Sequence, residues 1–197
     1  MTKIAVLVLA AGKSSRMKSI KQLEKVNKKT LLDITLEKAK QLKTKDIYCV
    51  LGANADKIQK EITSKNTNFI INKNFDKGLS SSIVSGLYHF KKNNLNFDGV
   101  FILLADQPAI ETSYLKDIIN LFHKNGTKII ASNYDGFFGV PALFPATYFS
   151  SLLEINGDKG AKEFLEKNQK NIVNPTLKTN LIDIDTKQDL DIFKSLK

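Results

Sequence analysis

One cysteine, two histidines and a single arginine stand among 197 residues. Cys49 alone cannot close an intramolecular disulfide or build a cysteine-rich zinc site. His89 and His123 are too few for a multi-histidine metal centre, and both sit on polar helical ends with no role assigned. Cys49 lies in an apolar run and reads as a small core residue. Long apolar stretches are also missing. The longest, Ile4 to Ala11, falls well short of the roughly 20 residues a membrane-spanning helix needs. Internal repeats, low-complexity tracts and long linkers are absent, so the sequence predicts one domain over residues 1–197.

What is abundant is lysine. Thirty basic residues against 20 acidic give a net charge of +10, and every basic residue except Arg16 is a lysine. Nucleic-acid readers lean on arginine for bidentate contacts to guanine and phosphate. The lysines here are spread along the chain, with short clusters only at Lys28-Lys29 and Lys91-Lys92, as on a solvated surface. A charge-driven nucleic-acid binder is therefore a rival class without an arginine-rich patch or an aromatic stacking motif. Neither nucleic acid nor membrane is an expected partner. The start of the chain resembles a secretory signal in outline, but its apolar run is short and Lys13, Arg16, Lys18 and Lys21 follow at once. A strand buried on both faces explains the same letters, and a cytoplasmic location is expected.

Apolar runs at Ile4–Leu9, Ile47–Leu51, Phe69–Asn72, Val100–Leu104 and Lys128–Ala131 read as strands. Between them, helical spacing predicts helices near Thr30–Leu42, Asp56–Ser64, Ser81–Lys91 and Ser113–Phe122. This alternation is the pattern of a three-layer α/β sandwich of Rossmann-like type, with a mainly parallel sheet. After Ala131 the rhythm breaks into a hairpin or antiparallel strand around Ala142–Phe144. Helices near Thr147–Glu154 and Lys159–Lys167, a strand at Leu181–Ile184 and a helix from Lys187 follow.

Ligands of open α/β sheets bind beyond the carboxyl ends of the strands. The loops after Leu9, Asn72, Leu104 and Ile184 should meet there. The first reads Leu9-Ala10-Ala11-Gly12-Lys13-Ser14-Ser15-Arg16-Met17-Lys18-Ser19-Ile20-Lys21. Small residues let backbone N–H groups approach an anion, while Lys13, Arg16 and Lys21 add charge. It is not a Walker A loop, since Leu7 occupies the place of the earlier glycine, and no G-x-G-x-x-G is present. Asp106, after an apolar strand, either binds a magnesium ion that bridges phosphate oxygens or caps the following helix. Asp183 or Asp185 supplies a second metal contact or caps the helix from Lys187. Gly78 to Ser82 opens a helix whose free N–H groups and hydroxyls can meet a base or ribose, or serves only as a serine cap. Asp158 reads as a plausible cap for the helix near Lys159.

The pattern L-A-A-G-x-S-x-R-M-x-x-x-K resembles the signature of the small nucleotidyltransferases, above all the molybdenum-cofactor cytidylyltransferases and their guanylyltransferase-like relatives. Gly78-Leu79-Ser80-Ser81-Ser82, Leu104-Ala105-Asp106-Gln107-Pro108, Gly139-Val140-Pro141-Ala142-Leu143-Phe144, Gly157-Asp158-Lys159-Gly160-Ala161-Lys162 and Asp183-Ile184-Asp185-Thr186 follow in the family's order. The chain departs from the family in four places. Leu23-Glu24-Lys25-Val26 stands where a Leu-Pro-type segment is usual. Lys18 stands where glycine is usual, Val140 where a polar residue is common, and Lys162 where arginine is usual.

The resemblance implies a nucleotide-diphospho-sugar transferase-like fold and transfer of CMP from CTP to the phosphate of molybdopterin, with Mg²⁺ and release of pyrophosphate. It places the nucleotide on Leu9, Ala10, Ala11, Gly12, Lys13, Arg16, Lys21, Ser80 and Ser82. Catalysis falls to Arg16, Lys21 and Asp106, and the metal to Asp106 and Asp185. The phosphorylated pterin acceptor falls to Gly157, Asp158 and Lys162, and an apo-molybdoenzyme or its chaperone would receive the product. Ala11 favours CTP, because related guanylyltransferases show L-A-G-G. A single methyl discriminates by only about 1–3 kcal/mol. Guanylyl or other nucleotidyl transfer to a different acceptor, and a non-catalytic nucleotide- or cofactor-delivery protein, are the alternatives.

Overall fold

The computed structural model describes residues 2–64 and 67–196. Its first half contains β1 (Ile4–Ala10), a hairpin of β2 (Lys25–Val26) and β3 (Lys29–Thr30), α1 (Leu31–Lys40), β4 (Ile47–Leu51), α2 (Ala55–Glu61), β5 (Asn68–Ile71) and α3 (Leu79–Lys92). The second half contains β6 (Gly99–Leu104), α4 (Thr112–Lys124), β7 (Ile129–Asn133), β8 (Phe138–Pro145), α5 (Phe149–Leu152), α6 (Lys162–Lys167), β9 (Ile172–Val173) and α7 (Lys187–Ser195).

Seven strands form one sheet in the order β5-β4-β1-β6-β8-β7-β9, in which only β8 runs antiparallel to its neighbours. β1 lies between β4 and β6 and every residue of it is buried, which is why its sequence is continuously apolar. Its side chains alternate between two cores. Ile4, Val6, Val8 and Ala10 pack with α1, α2 and α4, whereas Ala5, Leu7 and Leu9 pack with α3, α5 and α6. The result is the expected three-layer α/β sandwich.

A third, smaller cluster decides where the ligand loops go. It joins Met17 of the loop after β1, Val26 of the hairpin, Leu31 at the start of α1, Ile184, and Leu190 and Phe193 of α7. Met17 follows Arg16, and Ile184 separates Asp183 from Asp185. The two apolar residues thus anchor polar neighbours at the sheet edge. Among the described residues, no helix is long and apolar enough to cross a membrane.

The late part of the chain differs in detail from expectation. Leu181–Ile184 is extended but not a strand; its Ile184 N–H donates to the Asp106 carbonyl at 2.8 Å, beyond the end of β6, where no ladder continues. The two-residue β9 is too short to leave a periodic signal. The hairpin holds Pro141 inside a central strand, which normally excludes proline. Here the β7–β8 register shifts between Ala131 and Ser132, so Val140 and Pro141 fall in a bulge. The Ser132 hydroxyl donates to the Pro141 carbonyl at 2.8 Å, and the Tyr134 hydroxyl donates to that of Val140.

Helix ends also fall on other residues than expected. The helix after Asp106 starts at Thr112 with Glu111 in the cap position. Thr186 caps α7, forming a capping box with Asp189, so neither Asp183 nor Asp185 is needed there. Asp158 does not cap α6, which begins four residues later.

Asp33 ties α1 to the segment after α2. Its carboxylate accepts the Thr30 hydroxyl at 2.8 Å and the N–H groups of Thr63 and Ser64 at 3.0 and 2.8 Å. Burial would raise its pKa, but the bonds from Thr30, Ser64 and Thr63 outweigh that and hold it below the ordinary carboxylate range. Replacement Asp33→Ala is expected to cost about 2–3 kcal/mol at neutral pH, since two N–H groups lose a charged acceptor. A depressed pKa gives stability that is complete above the unfolded value, about 4, and is lost as pH falls through the folded value. Denaturant titrations of wild type and variant should therefore converge as pH drops below 4.

Candidate active site

The loop from Ala11 to Ile20 carries the charges, but an uncharged residue shapes it. Gln22 is buried at 4% exposure and donates from Nε2 to the carbonyls of Ala10 and Gly12 at 2.9 and 3.0 Å. Its Oε1 accepts the Ser14 hydroxyl at 3.2 Å, and the Ser14 Oγ accepts the Lys21 N–H at 3.0 Å. The loop is thereby folded back onto the end of β1. Ser14 and Lys18 have φ near +57°. Lys18 thus occupies the left-handed region where glycine meets least resistance.

Lys21 points at two carboxylates. Its Nζ lies 2.7 Å from Asp106 Oδ2 and 2.9 Å from Asp185 Oδ1, and Arg16 pairs with the other Asp185 oxygen at 2.7 Å. Burial alone would lower the Lys21 pKa, but Asp106 and Asp185 together raise it above the ordinary lysine value. For Asp185 burial acts upward, and Lys21 and Arg16 win, holding the carboxyl below its usual range. Asp183 behaves oppositely. Burial first, then the neighbouring Asp106 charge, push its pKa up despite a 2.8 Å bond from Gln107 Nε2.

That glutamine belongs to a chain that starts at the β-bulge. Gln107 Nε2 also donates to the Tyr134 hydroxyl at 2.7 Å, and Tyr134 is fixed by the Val140 carbonyl. The bulge made by Pro141 therefore sets the position of Asp183 through Tyr134 and Gln107.

The opposite wall comes from the start of α3. Asn72, 2% exposed, donates to the Ser81 and Ser82 hydroxyls at 2.9 and 3.2 Å. Gly78 has φ +91°, and a Cβ there would lie 2.3 Å from Asp158 Oδ1, so only glycine lets Asp158 approach the helix start. Together these walls enclose a cleft of about 470 Å³, of the size that holds small organic ligands. Leu9, Ala10, Ala11, Gly12, Arg16, Lys21, Ser82, Asp106, Asp158 and Asp185 all line it.

Other residues singled out in the sequence lie elsewhere. Ser80 is fully buried and donates its hydroxyl to the carbonyls of Asn156 and Gly160, so it braces the 156–160 loop and does not face the cleft. Gly157 accepts the Ser80 N–H and is also outside the lining. Lys162 sits 3.9 Å over the Phe137 ring, and Lys13 sits 5.6 Å over that of Phe75. Sequence reading overlooked Gln22, Asn72 and Phe75, and gave Gln107 no role. Buried amides in polar loops leave no periodic signature; Gln22 differs from the charged residues around it only in being neutral.

The cleft's charge contradicts that of the whole chain. Two cations, Arg16 and Lys21, face four carboxylates, Asp106, Asp158, Asp183 and Asp185. Two carboxylate oxygens within 2.9 Å of one nitrogen converge on a point that can equally hold a divalent cation together with phosphate oxygens. The donor set fits a hard metal such as magnesium or manganese.

A family model, described as a MobA-like NTP transferase domain, matches residues 6–172. The chain belongs to this family. Its domain is of the nucleotidyltransferase type. The purine catabolism protein PucB of Bacillus subtilis strain 168 is 30% identical over 122 residues, which are 60% of this chain and 57% of PucB. The bifunctional protein GlmU of Clostridium kluyveri is 32% identical over 123 residues, or 61% of this chain. The match spans about a quarter of GlmU, 26% of its length. Among solved structures, Rv0371c of Mycobacterium tuberculosis H37Rv superposes with a TM-score of 0.85 at 25% identity, over 98% of either chain. Rv0371c has also been crystallised with manganese; that structure gives a TM-score of 0.82 at 25% identity, over 98% of this chain and 99% of its own. Nucleotidyltransferases of this kind commonly use divalent metals.

Gln22→Ala releases the carbonyls of Ala10 and Gly12. The MobA-like enzyme should lose up to about 100-fold in kcat/KM, because misplaced phosphate-binding groups are costly. Melting should fall by only a few degrees, as expected for about 1–2 kcal/mol in a domain of this size. Steady-state kinetics beside thermal melts separate the two effects.

Proposed function

We propose that this nucleotidyltransferase uses Mg²⁺ and CTP and transfers CMP to the phosphate of molybdopterin, releasing pyrophosphate. The single observation that carries the choice of nucleotide is Ala11. It lines the cleft beside Gly12, at the position where guanylyl-transferring relatives show glycine. A methyl at that wall narrows the space for a purine. The acceptor rests on resemblance and on Asp158 lying across the cleft from the β1 loop. Residues 1–197 are read as one nucleotidyltransferase domain.

The chemistry asks the protein for positioning and charge. Arg16 and Lys21 bind the β- and γ-phosphates and stabilise the pyrophosphate that leaves. Backbone N–H groups of the loop held by Gln22 meet the phosphates. Asp106 and Asp185 hold Mg²⁺, which supplies charge neutralisation at the phosphate oxygens when bound. Ser82, oriented by Asn72, meets the ribose or base. The acceptor phosphate attacks the α-phosphorus as pyrophosphate departs in line. A phosphate monoester ionises a second time near pH 6, so at neutral pH the attacking oxygen needs no side chain to remove its proton.

Calorimetric titration with CTP and GTP, each with Mg²⁺ and with EDTA, tests this reading. Tighter metal-dependent binding of CTP is expected in wild type. Asp106→Ala should abolish that metal dependence and lower turnover by roughly 100-fold or more. A preference for GTP would overturn the Ala11 argument and move the proposal to guanylyl transfer.

A further inference from the structure

The cleft that is to receive a tetra-anionic triphosphate carries two more carboxylates than cations, in a chain whose net charge is +10. Moreover, both cations are already spoken for. Asp185 bridges Arg16 and Lys21 at 2.7 and 2.9 Å, and Asp106 takes Lys21 at 2.7 Å. The Lys21 and Asp106 side chains are mostly buried, so their pairing is less screened than a surface ion pair. Among the described residues the Asp185 carboxylate bonds only Arg16 and Lys21; its job in this arrangement is to hold them.

We propose that Asp106 and Asp185 form an ionic latch that keeps Arg16 and Lys21 from metal-free polyphosphate, so that the site accepts triphosphate only together with a divalent cation. The latch rests on the nucleotidyltransferase reading of the cleft but not on CTP or the pterin. When a polyphosphate arrives with its cation, Asp106 and Asp185 turn to the cation, and Arg16 and Lys21 turn to phosphate. Each group exchanges one ionic partner for another, and no charge is left buried alone. Without the cation the exchange cannot balance. Arg16 and Lys21 could leave for the phosphates only by stranding two carboxylates beside an incoming anion, which low-dielectric surroundings penalise. The latch thereby excludes free polyphosphates and non-productive, metal-free nucleotide.

Inorganic tripolyphosphate is the probe, because it lacks a base and is indifferent to which nucleotide the enzyme uses. It is titrated calorimetrically into wild type, Asp185→Asn, Asp106→Asn and Asp158→Asn, in EDTA and with Mg²⁺. In EDTA, Asp185→Asn should bind at least about tenfold tighter than wild type, the worth of one charge-assisted bond no longer broken. Asp106→Asn should shift the same way, so the test does not depend on one variant folding. Asp158→Asn removes an equal charge from the same cleft without touching the latch and should gain less than about threefold, an unpaired exposed-charge effect. With Mg²⁺ the order reverses and wild type binds tightest. Equal affinity of wild type and Asp185→Asn in EDTA overturns the latch. So does an equal gain in Asp158→Asn, which would reduce the effect to net charge. Failure of CTP to bind in the separate nucleotide titration leaves this outcome untouched.

Discussion

The Lys21 ammonium, held between Asp106 and Asp185, is the contact around which the site is assembled. It joins three loops that are far apart in sequence: the one after β1, the one after β6 and the extended segment before α7. None of these groups is stable in its place alone. Lys21 is drawn inward against its own desolvation, and Asp106 and Asp185 offset it, so the Lys21 pKa is raised while that of Asp185 is lowered. Metal-binding and phosphate-binding groups are thus one network before any ligand arrives.

That network needs rigid supports, and they are apolar or neutral. Met17 and Ile184 sink into the same small cluster, so Arg16 and Asp185 are brought to one rim by packing and not by their charges alone. Arg16 is 72% exposed, so its partly screened ion pair with Asp185 acts together with that packing and not in place of it. Gln22 shapes the loop from below. On the far side, Pro141 forces a bulge whose carbonyl orients Tyr134, and Tyr134 orients Gln107 and through it Asp183. A backbone irregularity two strands away therefore reaches the cleft.

Much of this was legible in the chain itself. Continuous apolar runs mark strands buried on both faces, and β1, β4 and β6 follow their letters closely. The alternation of runs and amphipathic stretches yields the parallel sheet, and the loops after its strands are where the cleft lies. Arg16, Lys21 and Asp106 stand out because charge at the carboxyl end of a buried strand has few structural uses. Less could be read where hydrogen bonds, not burial, decide the structure. Ser80 and Ser82 look alike in sequence, yet about half a turn of helix sends one hydroxyl to the 156–160 loop and the other to the cleft. Leu181–Ile184 has strand-like letters, but its neighbour is the segment just after β6, and among the described residues only one backbone bond joins them. The acidity of the cleft could not be read from a composition dominated by lysine, because it arises only when four aspartates from three segments meet.

Nucleotidyl transfer requires cleavage between the α- and β-phosphates of the bound nucleotide. The most direct measurement is phosphorus NMR of the products formed from CTP, Mg²⁺ and molybdopterin with catalytic enzyme. Pyrophosphate in equal amount to a new phosphoanhydride between CMP and the pterin is the predicted result. Orthophosphate from the γ-position, or intact CTP alongside other triphosphates that are equally untouched, would contradict it.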